Sequence, residues 1–213
     1  MRNVLGFRRV LLMPILLVLS VVPVPRAGAD PADTAVATIG DDGAPVVIDV
    51  YEDYLCPYSA AFEQEFGARL IEAAASGKLS VRYHMLRFLD PRSASGDYSS
   101  RAAGAALALF ERDPEDFAPL HQRLFAQETQ PKEHGKSDLS NEQLAKIADD
   151  LGADPGAVSA IADGAQTAAA EDLAEQSADE LRQSTGQVSV PTVVKDGKPV
   201  DVDDKNWLRK LLG

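Results

Sequence analysis

The only cysteine of this chain, Cys56, lies in the run Tyr51-Glu52-Asp53-Tyr54-Leu55-Cys56-Pro57-Tyr58-Ser59. An apolar, strand-like stretch precedes it (Val46-Val47-Ile48-Asp49-Val50), and a helix-like spacing of Phe62, Phe66 and Leu70 follows. A thiol at a strand-to-helix junction faces unpaired backbone N–H groups and the positive end of the helix dipole. Both favour the thiolate, which is the nucleophile of disulfide exchange. An uncovered, reactive Cys56 is therefore expected. Three residues on, where a dithiol motif carries its second cysteine, stands Ser59. Its hydroxyl can donate to the sulfur and support the anion. It cannot resolve an adduct, so a mixed disulfide at Cys56 must be cleared by an outside thiol.

Other chemistries find less support. Glu52 and Asp53 read as a solvated strand end, and His84 as a strand residue. His121 and His134 fall in a helical region and its loop. Three scattered histidines and one cysteine show no metal-ligand spacing, so no metal site is expected. Asp201, Asp203 and Asp204 read as a helix cap and turn, not a calcium loop. No nucleophile elbow surrounds Ser59 or Ser189. Tyr51 to Leu55 lack the threonine and proline of a thiol peroxidase, and no cofactor is implied.

The start of the chain reads as an export signal. Arg2, Arg8 and Arg9 make a basic beginning, Val10 to Val24 is apolar, and Ala27-Gly28-Ala29 suits cleavage. The apolar run is short for a membrane span, which needs roughly 20 residues. Membrane association is expected only through an uncleaved signal. Cleavage after residue 29 leaves 184 residues, enough for one domain with an insertion. Four arginines (Arg2, Arg8, Arg9 and Arg26) leave with it, deepening the net charge from −12 to −16. Such an acidic surface argues against nucleic acid and anionic lipid as partners. With one cysteine there is no internal disulfide, and the apolar core alone must hold the fold.

Elements follow from periodicity. Residues 30–44 read as a flexible N-terminus. Val46 to Tyr51 suits a buried central strand. Pro57 opens a helix running to about Ala75, and Val81, Tyr83 and Met85 alternate as a second, parallel strand. A helical middle begins at Asp97-Tyr98. It continues through the Phe117, Leu120, His121, Leu124 spacing, a polar loop from Thr129 to Ser137, and a helix capped by Ser140 with Gln143 in the capping-box position. Asp154-Pro155 starts another helix, and a long one ends near Gly186. Val190 to Lys195, Asp196-Gly197 and Lys198 to Val200 form a hairpin. A last helix, capped by Asp203 or Asp204, carries Trp207, Leu208 and Leu211.

This arrangement resembles the DsbA-like branch of the thioredoxin superfamily. Cys56-Pro57-Tyr58-Ser59 after a strand, and Val190-Pro191-Thr192 before a hairpin, carry the likeness. Val81 to Leu89 resembles the second strand and its exit, and Tyr98-Ser99-Ser100-Arg101-Ala102-Ala103 the start of the inserted helices. The resemblance spans residues 44–213. It implies an α/β thioredoxin-like fold over 45–95 and 186–213, with an inserted α-helical domain over 96–185. It places the nucleophile at Cys56 and a cis-proline at Pro191. Val190, Pro57 and Tyr58 then line the place where an extended substrate binds. Ser59 departs from the family pattern and rules out an ordinary dithiol oxidase. Cys-x-x-Ser sites also occur in monothiol glutaredoxins.

The resulting expectation is an exported monothiol protein acting in thiol exchange or in reduction of mixed disulfides. Its partners would be cysteine-containing exported proteins or small thiols, in a bacterial envelope or outside the cell. The competing expectation is a non-catalytic binding module that captures an extended partner segment.

Overall fold

The computed structural model describes residues 34–41 and 43–213; the export signal expected over 1–29 lies outside the described residues. Among the described residues, five strands form one sheet in the spatial order β1-β3-β2-β4-β5. At its centre is β2 (Val46–Glu52). It pairs in parallel with β3 (Leu79–Met85), Val46 opposite Leu79 and Glu52 opposite Met85. β4 (Thr192–Lys195) runs antiparallel on the other side of β2, and β5 (Lys198–Pro199) completes the hairpin. Asp196 (φ 50°) and Gly197 (φ 71°) make its turn. Two consecutive positive φ angles match the twist of the flanking strands, and Asp-Gly is among the pairs that adopt them most readily.

The near-continuous apolar reading of β2 follows from burial on both faces. Ile48 and Val50 join the large core, whereas Tyr51 packs with Leu86, Leu181 and Val194 on the opposite face. Asp49 breaks the apolar run because it is paired. Arg82 Nε lies 2.6 Å from its Oδ1, Arg82 Nη2 donates to its Oδ2 at 2.8 Å, and His84 Nε2 lies 3.0 Å from Oδ1.

Residues 30–44 are not uniformly loose. Ala37–Ile39 is an edge strand, β1, antiparallel to β3, and Thr34, Val36 and Ala37 are buried. Three residues of Ala-Thr-Ile are too short to show alternation, and their order comes from the pairing with β3. The single helix expected from Pro57 to Ala75 is three pieces: α1 (Pro57–Phe62), a π-helical segment Glu63–Gly67, and α2 (Ala68–Ala75). Such π segments recur at functional sites.

Between β3 and β4 lie α3 (Tyr98–Phe110), α4 (Phe117–Leu124), α5 (Asn141–Asp150), α6 (Pro155–Ala162) and α7 (Thr167–Thr185). The capping box of α5 is present: Ser140 Oγ accepts from the Gln143 N–H, and Gln143 Oε1 from the Ser140 N–H. Asp154 accepts from the Gly156 and Ala157 N–H groups at the start of α6. The small residues of α3 have a reason. A Cβ at Gly104 would come within 2.8 Å of Thr167 Cα, so α3 and the start of α7 are in backbone-level contact. The last helix, α8 (Trp207–Leu212), starts later than expected. Asn206 holds its N-cap position, while Asp204 accepts the Asn206 N–H within the preceding turn.

Candidate active site: a lone thiol beside a cis-proline loop

Cys56 occupies the N-cap position of α1 with extended φ and ψ (−74°, 119°), and Pro57 follows as the first helical residue. Proline costs nothing there, because its missing N–H would have been unpaired anyway. The thiol donates to the carbonyl oxygen of Val190, 3.9 Å away. The next peptide bond, Val190–Pro191, is cis. Two segments 134 residues apart in sequence therefore meet at the sulfur. Ser59 lies one turn along α1, fully buried, and its hydroxyl has no hydrogen-bond partner beside the neutral thiol. Tyr58 points outward at 73 % exposure, so it does not pack against the body of the protein.

The expectation of an uncovered, acidic thiol is corrected here. Cys56 is only 5 % exposed. Burial pushes its thiol above the ordinary value. The backbone N–H groups of Ser59 and Tyr58 pull it down, Asp53 pushes it up further, and the Ser59 hydroxyl opposes. The helix-start amides act as the sequence implied, but desolvation outweighs them. In the folded protein, alkylation of Cys56 by iodoacetamide should be slow at neutral pH and still rising above pH ~9. An inflection at or below ~8.5, the value of a free thiol, would contradict this balance.

Glu52 and Asp53, expected at a solvated strand end, are both buried with no exposure. Asp53 is pushed up to about 6 by burial, against hydrogen bonds from the Ser99 hydroxyl and the Leu55 and Leu89 N–H groups. Its carboxylate thus knits the Cys56 loop to the exit of β3 and the start of α3. Gln130, from the polar loop after α4, donates to the carbonyls of Tyr54 and Cys56, each at 3.0 Å. It clamps the active-site turn from the helical side. A cleft of about 450 Å³ opens beside it, lined by Leu55, Pro57, Ala60, Gln127 and Pro131 among others.

Glu52 has different neighbours. His121 Nε2 lies 3.2 Å from Glu52 Oε2 and 3.5 Å from Glu63 Oε1, and its Nδ1 pairs with the Tyr54 hydroxyl at 2.9 Å. Burial and the Glu63 carboxylate push Glu52 up to about 8, against the pull of His121. The two carboxylates raise His121 to about 9 despite its burial. The sequence hid this cluster because its members come from three separate elements. The one available signal was a histidine on the apolar stripe of α4, between Phe117, Leu120 and Leu124.

A thiol at a strand-to-helix turn, faced by a cis-proline loop and roofed by helices inserted before the final hairpin, defines a DsbA-like thioredoxin-fold protein. The chain belongs to the thioredoxin family, which it matches over residues 32–212. It is similar in structure to the MdbA protein, a thiol-disulfide oxidoreductase of Corynebacterium diphtheriae, with 26 % identity and a TM-score of 0.72 over 84 % of this chain and 90 % of that one. It is also similar to the reduced disulfide bond oxidoreductase DsbG of Mycobacterium tuberculosis, with 27 % identity and a TM-score of 0.66 over 81 % and 85 % of the two chains. In sequence it is 33 % identical over 176 residues to the serine/threonine-protein kinase PknE of M. tuberculosis. That match takes in 82 % of this chain but 31 % of PknE, so the chain spans about a third of that relative's length.

Proposed function

We propose that the protein is an exported monothiol exchange protein with Cys56 as its nucleophile. The observation that carries this reading is the contact of the Cys56 sulfur with the Val190 carbonyl beside cis-Pro191. In this reading Val190 and Pro191, which meet the sulfur across the fold, and Pro57 and Tyr58, which follow it in the chain, would bind an extended segment. The Cys56 thiolate attacks one sulfur of a disulfide. The S–S bond breaks, a new Cys56–S–S bond forms, and the departing thiolate takes up a proton. An outside thiolate then attacks the adduct, forms its own disulfide with the captured group and returns Cys56 as thiolate. Ser59 supplies a buried hydroxyl that can donate to the sulfur anion, and no second thiol competes for the adduct. Cysteine-containing exported proteins and small thiols are the substrate class. The basic-then-apolar start of the chain and the likeness to thiol-disulfide oxidoreductases of bacteria support export.

The raised thiol and the likeness to a stretch of a kinase chain favour a second reading, a thioredoxin-fold module that binds an extended partner without turnover. Turnover of a glutathionylated peptide, with glutathione as the outside thiol, separates the two. The exchange reading expects turnover that falls to background in Cys56→Ser. Wild-type protein no faster than buffer, with peptide binding unchanged by Cys56→Ser, would favour the binding module.

A further inference from the structure

We propose that Glu52, Glu63 and His121 form a buried binding site for one divalent transition-metal cation, zinc being the best-suited ion. Each residue offers one ligand atom, and the three atoms lie within 4.8 Å of one another. All four carboxylate oxygens of Glu52 and Glu63, and His121 Nε2, are buried without a hydrogen-bond partner. The 3.2 and 3.5 Å approaches of Nε2 to Glu52 Oε2 and Glu63 Oε1 are ion pairs, which leave Glu52 Oε1 and Glu63 Oε2 with no partner. Two carboxylates sharing one imidazole at a sealed point, each with one oxygen that has no partner at all, are costly as they stand. A cation between them satisfies all three side chains at once, and its two positive charges match two carboxylates.

The 3.2 and 3.5 Å approaches of His121 Nε2 to the two carboxylates are close to the ligand edges of a metal site. Zinc binds imidazole nitrogen and carboxylate oxygen at about 2.0–2.2 Å in a tetrahedron, whose ligands are then about 3.3–3.5 Å apart. The surroundings are those of a ligand set. A metal-bound histidine usually gives its other ring nitrogen to a neighbouring acceptor that fixes its orientation, and His121 Nδ1 pairs with the Tyr54 hydroxyl. Glu63 is the first residue of the π-helical segment. Gly67, at the end of that segment, leaves room for the Glu63 carboxyl, which a Cβ there would strike. The nitrogen and oxygen donors favour zinc over cations that prefer oxygen alone.

The site joins three elements: the end of β2 four residues before Cys56, the segment that follows α1, and α4 of the inserted helices. It would hold the active-site helix against the helical region independently of any thiol chemistry. With Glu52 and His121 at most 1 % exposed, the ion would enter during folding rather than through an open channel.

The test uses the full chain, unfolded and refolded with either one equivalent of zinc sulfate or a chelator, in a Cys56→Ser background to remove the thiol as a ligand. The expected result is one zinc per chain after exhaustive dialysis and a higher thermal midpoint than the chelator-refolded sample. Cobalt loading should give visible d–d bands without a thiolate charge-transfer band. Glu63→Gln should lose the metal, and Tyr54→Phe should weaken metal affinity by ~10–100-fold as the loss of an orienting partner. Less than ~0.1 zinc per chain, with identical thermal midpoints in the two refolded samples, would overturn the proposal. Zinc retained equally by Glu63→Gln and His121→Asn would also overturn it.

Discussion

Replacing Ser59 with cysteine is expected to turn a protein that depends on outside thiols into one that resolves its own adducts. Residue 59 lies in the first turn of α1, three residues from Cys56, and is fully buried behind it. A thiol there would attack a mixed disulfide at Cys56 without diffusing. Even an effective molarity of about 1 M would outrun about 1 mM external thiol by ~10³-fold, and well-oriented intramolecular reactions reach far more. The variant should therefore release a captured peptide in the absence of glutathione. It should be recovered with an internal disulfide joining Cys56 to the thiol introduced at position 59, and intact mass reads both outcomes. Ser59→Ala should not gain this behaviour. It should instead raise the thiol pKa further, because the hydroxyl opposes burial at the sulfur. If Ser59→Cys still holds its adduct indefinitely, the sulfur at 56 is not oriented toward its helix, and the proposed geometry of exchange is wrong.

Asp49→Asn should destabilise the fold measurably. The carboxylate is buried in the central strand and shared between Arg82 and His84. Arg82 is part-exposed and has a further partner, so removing the carboxylate chiefly takes a buried hydrogen-bond acceptor away from Arg82 and His84, at a cost of about 1–3 kcal/mol. Urea denaturation should show that loss. A change under ~1 kcal/mol, the range of exposed ion pairs, would mean that the pair is solvated. The pH dependence has a definite sign. Burial pushes the Asp49 carboxyl up, but hydrogen bonds and charges from His84 and Arg82 outweigh it and hold the carboxyl below its ordinary value. The native state thus prefers the ionised form more than the unfolded chain does. The stabilisation is present above pH ~4, the range of an unfolded aspartate, and is lost as the pH falls through the lower folded value.

Much of the fold was legible in the sequence because local signals and tertiary packing agree. Pro57 after Cys56, the Ser140–Gln143 capping box, Asp154-Pro155 and the Asp196-Gly197 turn each have a backbone reason, and each stands where that reason puts it. The meeting of Cys56 with Val190 was legible only through family resemblance, since nothing local links residues 134 apart. What could not be read was burial. Glu52 and Asp53 look polar and hence solvated, and nothing local says that His121 meets Glu52, yet β2, the π-helical segment and α4 close over them. The helix-start amides do favour the Cys56 thiolate, as the strand-Cys-Pro-helix pattern implies. The desolvation and the buried Asp53 that oppose them leave no local mark in the sequence. The π segment was hidden because the spacing of Phe62, Phe66 and Leu70 serves a regular helix equally well. β1 was hidden because three residues carry no period.

Exchange at Cys56 requires the sulfur to react in the folded state, and intact mass after incubation of native protein with glutathione disulfide tests this most directly. The expected product is one glutathione per chain, on Cys56, forming faster as the pH rises and persisting until an outside thiol is added. A native protein that stays unmodified at every pH where it remains folded, and takes up glutathione only in denaturant, would contradict it and leave Cys56 a packed structural residue.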